Sequence, residues 1–171
     1  LLNSGGEIDI RPVEIKELEC WWNEKIKENP DDESYLVWKN NFIVGNINGK
    51  RKTFFVFDGE KYVGQGTLLF ESKDKLITGN SRAEIIKLEV EEEYRGKGIA
   101  TKIYEELKKH AKTAGINILT IGVEPSEIRN MQIYFHWGFT NFLQCITETY
   151  PPKNKGESGE TIIVLCYSQN I

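Results

Sequence analysis

Apolar positions change their spacing along the chain, and each change marks an element. Between Glu7 and Val13 the residues Ile8, Ile10 and Val13 alternate loosely with polar neighbours, the period of a strand, and Pro12 confines that strand to an edge or an end. From Glu14 to Glu28 the period becomes helical, with Ile15, Leu18, Trp22 and Ile26 on one face and Asn29-Pro30 as the stop. Asp31-Asp32-Glu33-Ser34 is an acidic helix start, and Tyr35, Leu36, Trp38, Phe42 and Ile43 predict a second, shorter helix before Gly45 to Gly49. Residues 52–57 and 61–70 read as strands joined through the turn signal Asp58-Gly59. After a polar loop over 72–80, residues 82–90 form a fourth strand. Period 2 would put Ile86, Leu88 and Val90 on one face and Ile85, Lys87 and Glu89 on the other.

The strongest pattern follows. Ile99, Ile103, Leu107, Ala111 and Ala114 repeat at helical spacing, Lys102, Glu105, Glu106, Lys108, Lys109 and Lys112 take the opposite side, and Gly115 supplies the stop. The continuous apolar run over 116–123 suits a buried strand, parallel to the fourth because a long helix connects them. Pro125-Ser126 opens a short helix carrying Ile128, Met131, Tyr134 and Phe135 that Gly138 closes. Residues 139–147 and 161–167 are the last strands, joined by the proline- and glycine-rich loop from Tyr150 to Gly159. The implied architecture is α+β, one domain over 7–171 behind a loose segment 1–6, with a mixed, mostly antiparallel sheet of about seven strands flanked by helices.

Length and charge narrow the function classes. A chain of 171 residues can bury about 68–70% of its unfolded surface in one core. A net charge of -4 with 28% charged residues gives no basic face for nucleic acid. Cys20, Cys145 and Cys166 are widely separated and odd in number, which argues for reduced thiols acting as small buried hydrophobes in a cytoplasmic protein. No run approaches the ~18 apolar residues of a membrane span, and Leu1 to Gly6 lacks the blocks of a signal peptide. The five aromatics Trp21, Trp22, Tyr35, Trp38 and Phe42 either line a pocket or, the commoner outcome for a helical stripe, fill a core. His110 and His136 have no metal-ligand spacing.

Chemistry concentrates where the fourth strand meets the strongly patterned helix. The turn Glu91-Glu92-Glu93-Tyr94-Arg95-Gly96-Lys97-Gly98 delivers the chain to a helix N-terminus, where free N–H groups and the helix dipole favour an anion and glycines permit close approach. The spacing of a Walker loop occurs nowhere in the chain. The dinucleotide fingerprint also fails, because Thr101 stands where the third small residue belongs and Ile118 where an acidic residue should hold a ribose. The pattern that fits is Arg95-x-x-Gly98-x-Ala100. It resembles the acetyl-CoA signature of the GNAT superfamily of N-acetyltransferases, and the similarity extends to Leu88 and Val90 upstream and to Tyr134 and Gly138-Phe139 downstream.

That resemblance implies a fold in which the fourth and fifth strands splay apart, leaving main-chain groups of Leu88 and Val90 to bind the pantetheine arm and acetyl carbonyl. A bulge in the fourth strand is the physical prerequisite, since a fully paired strand has no free donors. It further implies that Gly96, Gly98, Ala100 and Thr101 present N–H groups to the pyrophosphate, with Arg95 and Lys97 adding charge or remaining solvated. Tyr134 takes the position of the family's proton donor to the departing thiolate. Glu127 stands where the family often has Asn. The base is left among Glu84, Glu89, Glu124 and a water chain, with Glu84 favoured because histone-acetylating members are similar in carrying a glutamate there. The implied reaction is direct transfer from acetyl-CoA to a primary amine of a small molecule or peptide, without a metal or a covalent enzyme intermediate. The first two helices and the Tyr150 to Gly159 loop would form the acceptor pocket, and the negative charge favours a cationic amine. A non-catalytic acyl-CoA sensor on the same fold and a nucleotide-binding module are the rival readings, and a homodimer is compatible with both sequence and fold.

Overall fold

The computed structural model describes residues 7–171; the segment 1–6, expected to be loose, lies outside them. The elements run β1 (Ile8–Pro12), α1 (Ile15–Glu28), α2 (Ser34–Ile47), β2 (Arg51–Asp58), β3 (Lys61–Leu69), β4 (Arg82–Val90), α3 (Ile99–Thr113), β5 (Ile118–Val123), α4 (Ile128–His136), β6 (Asn141–Thr149) and β7 (Thr161–Asn170), with a 3-10 turn at Glu92–Tyr94. They build one seven-stranded sheet in the order β1-β2-β3-β4-β5-β7-β6. Only β4 and β5 are parallel, joined by the α3 crossover; the other neighbours are antiparallel. Pro12 does sit on an edge strand. β7 runs three residues past the expected end, since its polar terminus Ser168-Gln169-Asn170 pairs with Ile118 to Thr120 of β5.

Each face of the sheet has its own core. On one, Phe54, Val56, Leu68, Ala83, Ile85 and Leu119 meet Ile99, Ile103, Tyr104, Leu107 and Ala111 of α3 in a single apolar cluster. Gly66 permits this contact: a Cβ there would lie 2.7 Å from Ile103 and 2.9 Å from Leu107. On the other face, Phe55, Phe57, Tyr62 and Ile86 meet Leu18, Trp22 and Phe42 of α1 and α2. Of the three free cysteines only Cys166 is buried. Cys20 and Cys145 are exposed, contrary to the expectation that all three serve as small core residues.

β4 corrects the simple period-2 reading. Its pairing with β3 slips between Gln65 and Thr67, so that three residues of β4 span what two span on β3, and Lys87 in the slip has φ +50°. This is a bulge, and it inverts the alternation beyond it. Leu88 and Val90 therefore share the α3 face with Ile85, whereas Ile86 packs with the α1 and α2 cluster.

Candidate active site

Past Val90 the chain makes the 3-10 turn and reaches α3 through two glycines in left-handed conformation, Gly96 at φ +74° and Gly98 at φ +77°. Side chains fix the turn from outside: Tyr94 donates its hydroxyl to Asp58 at 2.9 Å, and Arg95 donates Nε to the Val90 carbonyl at 3.0 Å. Lys97 lies with its ammonium 4.9 Å from the centre of the Tyr94 ring. Gly98 is the N-cap of α3 and provides no side chain to satisfy the helix N-terminus. Among the described residues, the N–H groups of Gly96, Lys97 and Gly98 have no protein acceptor, and nothing lies within 4 Å of a Cβ built at either glycine. The result is a run of uncommitted donors beside open space at the positive end of a helix dipole, which suits a phosphate-bearing group.

The second feature is a split in the sheet. β4 and β5 pair from Arg82 with Ile118 to Ile85 with Ile121, and no pairing joins them beyond that point. Residues 86–90 thus have a neighbour on the β3 side only. A cavity of about 740 Å³ opens there, and its wall includes Glu84, Leu88, Glu124 and Tyr134 together with Tyr35, Trp38 and Tyr150. Gly98 and Thr101 border a separate hollow of about 830 Å³ beside Ile8 and Ile10.

Glu84 is one of the carboxylates of the cavity wall. It faces β5 at Gly122, where the lack of a side chain leaves Oε1 3.7 Å from the position a Cβ would take. Among the described residues it makes no ion pair, and burial, then Glu148 and Asp74, push its carboxyl up to about 8 against a partial offset from Arg51. Tyr134 packs on Trp137 and Phe139 at ring separations of 5.7 and 6.5 Å, and its hydroxyl has no protein partner among the described residues. Burial, helped by Glu127, pushes that hydroxyl up to about 12, so it is protonated at neutral pH. Glu89 lies away from the cavity wall: its carboxylate is engaged by Lys87 at 2.8 Å, Gln65 at 2.5 Å and Tyr62 at 3.3 Å. Glu124 borders the cavity. Glu127, standing where an Asn was expected, accepts from Asn130 Nδ2 at 2.9 Å, and Asn130 itself borders the cavity.

The aromatic stripe serves both of its expected roles. Trp22 and Phe42 are buried core residues and also wall the cavity, while Trp21 packs on Phe55 and Tyr62 outside it. The 150–160 loop reaches the same wall, with Tyr150 edge-on to Trp38 at 5.7 Å and the Lys153 carbonyl accepting from the Glu33 amide at 2.8 Å. Sequence reasoning missed Arg51 and Glu148, which the cavity brings beside Glu84. Their only advance signal was position, Arg51 opening β2 after the Gly49 turn and Glu148 near the end of β6.

A split parallel pair, a bulged fourth strand and an uncapped helix N-terminus set unpaired main chain beside a turn suited to a phosphate-bearing group. The chain matches the acetyltransferase (GNAT) family over residues 13–139 and belongs to that family. Acetyl-CoA is the cosubstrate of the family, and acetyl transfer to an amine is its general reaction. No curated protein sequence matches the chain. Among solved structures it is similar to a probable acetyltransferase from Staphylococcus epidermidis (16% identity, TM-score 0.71, covering 95% of this chain and 98% of that one). It is also similar to the ribosomal-protein-alanine N-acetyltransferase from Brucella melitensis (13%, 0.68, 95% and 99%). A third similar structure is the PaiA N-acetyltransferase from Thermoplasma acidophilum in complex with coenzyme A (18%, 0.64, 96% and 99%). Among the described residues no helix is long and apolar enough to cross a membrane.

Proposed function

We propose that the protein is an N-acetyltransferase in which Glu84 receives the proton of an incoming primary amine and Tyr134 protonates the thiolate that leaves. The carrying observation is the split between β4 and β5, which sets a poised carboxyl and an unpaired phenol on the wall of one cavity. Acetyl-CoA, when bound, supplies the activated acetyl thioester. Gly96, Gly98, Ala100 and Thr101 hold its pyrophosphate through main-chain N–H groups, and the freed main chain at Leu88 and Val90 holds the pantetheine arm and the acetyl oxygen. Arg95 acts chiefly by fixing the turn through the Val90 carbonyl, and Lys97 contributes charge near the turn. Glu89, tied to three neighbours, positions the bulge.

The phenol is in its required starting state, and the carboxyl reaches its own as it ionises near pH 8. A carboxyl pushed up to about 8 is a stronger base than an ordinary glutamate, and a phenol pushed up to about 12 keeps its proton until a stronger base appears. The test is thiol release from acetyl-CoA with an amine panel, repeated with Tyr134→Phe. The substitution should leave acetyl-CoA affinity near normal and lower kcat by roughly 10²–10⁴-fold. An unchanged kcat removes Tyr134 from the reaction, and binding of acetyl-CoA without thiol release from any amine removes the transferase reading.

A further inference from the structure

We infer that the acceptor is an amino acid, its carboxylate held by Arg51 and Trp22 while its amine faces Glu84. The inference rests on the transferase reading and adds the chemical class of the acceptor. Arg51 and Trp22 line the cavity, and each carries a buried donor with no acceptor: Arg51 Nη1 and Trp22 Nε1. The indole is only 2% exposed. Such groups lose their hydration without compensation; neither atom is open to the cavity as the side chains stand, so a ligand carboxylate meets them by drawing both donors toward it.

Arg51 is also held in place. Its stem lies under α2 against Gly45, where a Cβ would come within 2.7 Å of it, and its guanidinium carbon lies 4.5 Å from the centre of the Phe42 ring. Phe42 in turn packs on Trp22 at 5.3 Å, so one ring links both unmet donors. Among the described residues Arg51 has no carboxylate within ion-pair distance, and burial lowers its affinity for its proton, offset only by the more distant Glu84. A cation so placed calls for an anion. Coenzyme A does not supply one here, because the anion cradle belongs to α3 and Arg51 lies under α2 on the opposite face of the sheet.

The acidic residues of the wall, Asp32, Glu84, Glu124, Glu127 and Glu148, call for a cationic group on the acceptor beside the carboxylate that Arg51 calls for. Asp32 accepts from the Ser34 amide at 3.0 Å and Glu127 from Asn130, while Glu84 and Glu148 are both pushed toward their neutral forms by burial. A zwitterion satisfies both sides of the cavity, with its ammonium toward the glutamates and its carboxylate toward Arg51 and Trp22.

The experiment measures direct binding at pH 7 in the presence of coenzyme A. The standard L-amino acids are compared with their amino acid amides and, where these exist, the decarboxylated amines, such as tryptophan with tryptamine. At least one amino acid should bind about 10-fold or more tighter than its amide and amine, the range of a charge-assisted hydrogen bond. Arg51→Gln should bring that ratio close to one, Arg51→Lys should restore part of it, and Trp22→Phe, which keeps the ring and drops the N–H, should lower it a few-fold. Amines or amides that bind the unaltered protein as well as the amino acids do, the absence of any amino acid binding, or a ratio that survives Arg51→Gln would each overturn the inference. Should Arg51→Gln fail to melt cooperatively, the ratios for the unaltered protein and Trp22→Phe decide alone. Thiol release is read in parallel: amino acids bound without release sink the transferase reading and leave the carboxylate site standing, whereas release with amines alone does the reverse.

Discussion

The two faces of the sheet solve different problems. On the α3 face the apolar stripe of one helix meets alternate residues of β2 to β5, and no buried side-chain donor or acceptor is left unmet there among the described residues. On the α1 and α2 face the packing is aromatic, and Trp22 Nε1, Arg51 Nη1 and Gln65 Oε1 are buried without partners. The first face is complete without a ligand and fixes the main chain proposed to hold the cosubstrate. Of the unmet groups on the second, two belong to residues of the cavity wall, Trp22 and Arg51, the mark of a surface kept for recognition at some expense of stability.

Glu84→Gln breaks the comparison at its sharpest point, since Glu84 belongs to the recognition face yet is the proposed base. The variant should lower kcat/KM by about 10²–10⁴-fold, and the remaining activity should lose the pH limb near 8 on which the unaltered enzyme gains rate as the carboxyl ionises. Stability should move the opposite way. In the unaltered protein the unfolded chain ionises Glu84 near the ordinary 4.5 and the folded one only near 8, so stability from the neutral carboxyl is present below 4.5 and lost between those values. Glutamine has no such dependence. Denaturant melts at pH 5 and pH 8 should therefore show the variant gaining on its parent as pH rises; a constant difference would mean that the carboxyl is solvated and a poor candidate for the base.

The faces should also separate when one residue is removed from each. Leu107→Ala on α3 deletes a fully buried side chain in the closed cluster and should cost about 2–5 kcal/mol in a denaturant melt. Trp38→Ala removes a half-buried ring that packs on Tyr150, an edge-on pair worth about 0.5–1.5 kcal/mol beyond its buried area. Its larger effect should fall on acceptor KM. If Trp38→Ala destabilised as much as Leu107→Ala while leaving KM alone, the recognition face would be a second core.

What could be read from the sequence follows the same division. The stripe Ile99, Ile103, Leu107 and Ala111 is periodic because one packed face demands it, and Gly96 and Gly98 stand out because their backbone conformation excludes most side chains. The two segments flanking the split, β4 and the Tyr134 helix, were legible for a different reason, their resemblance to a known motif. The bulge at Lys87 was expected only as a requirement of that resemblance. Nothing in the alternation from Arg82 to Val90 marks its position, so Ile86 was assigned to the wrong face. Arg51, Glu148 and Asn130 were illegible because their importance lies in contacts between residues distant in sequence: an arginine after a turn looks solvated until α2 folds over it. The proposed acceptor half of the site is made almost entirely of such contacts.

Gly98→Ala gives the smallest effect and tests whether the cradle works through its backbone. Gly98 has φ +77° as the N-cap of α3, so its helix propensity is not the relevant quantity; an L-residue there pays left-handed strain of about 1–2 kcal/mol. A methyl group would meet no protein atom within 4 Å, so it adds no internal clash. It would instead project into the space offered to the pyrophosphate. Two outcomes are therefore separable. If the alanine keeps the left-handed turn, stability should fall by that strain and acetyl-CoA affinity by a steric increment as well. If the turn relaxes, stability should be nearly preserved while the unpaired N–H groups of Gly96, Lys97 and Gly98 shift from their present positions and affinity falls further. In both cases calorimetric affinity for acetyl-CoA drops by more than the melting curve alone would suggest. A variant that loses about 1–2 kcal/mol of stability and binds acetyl-CoA as before would show that the anion is held elsewhere, and the uncapped start of α3 would then be only a tight entry to a helix.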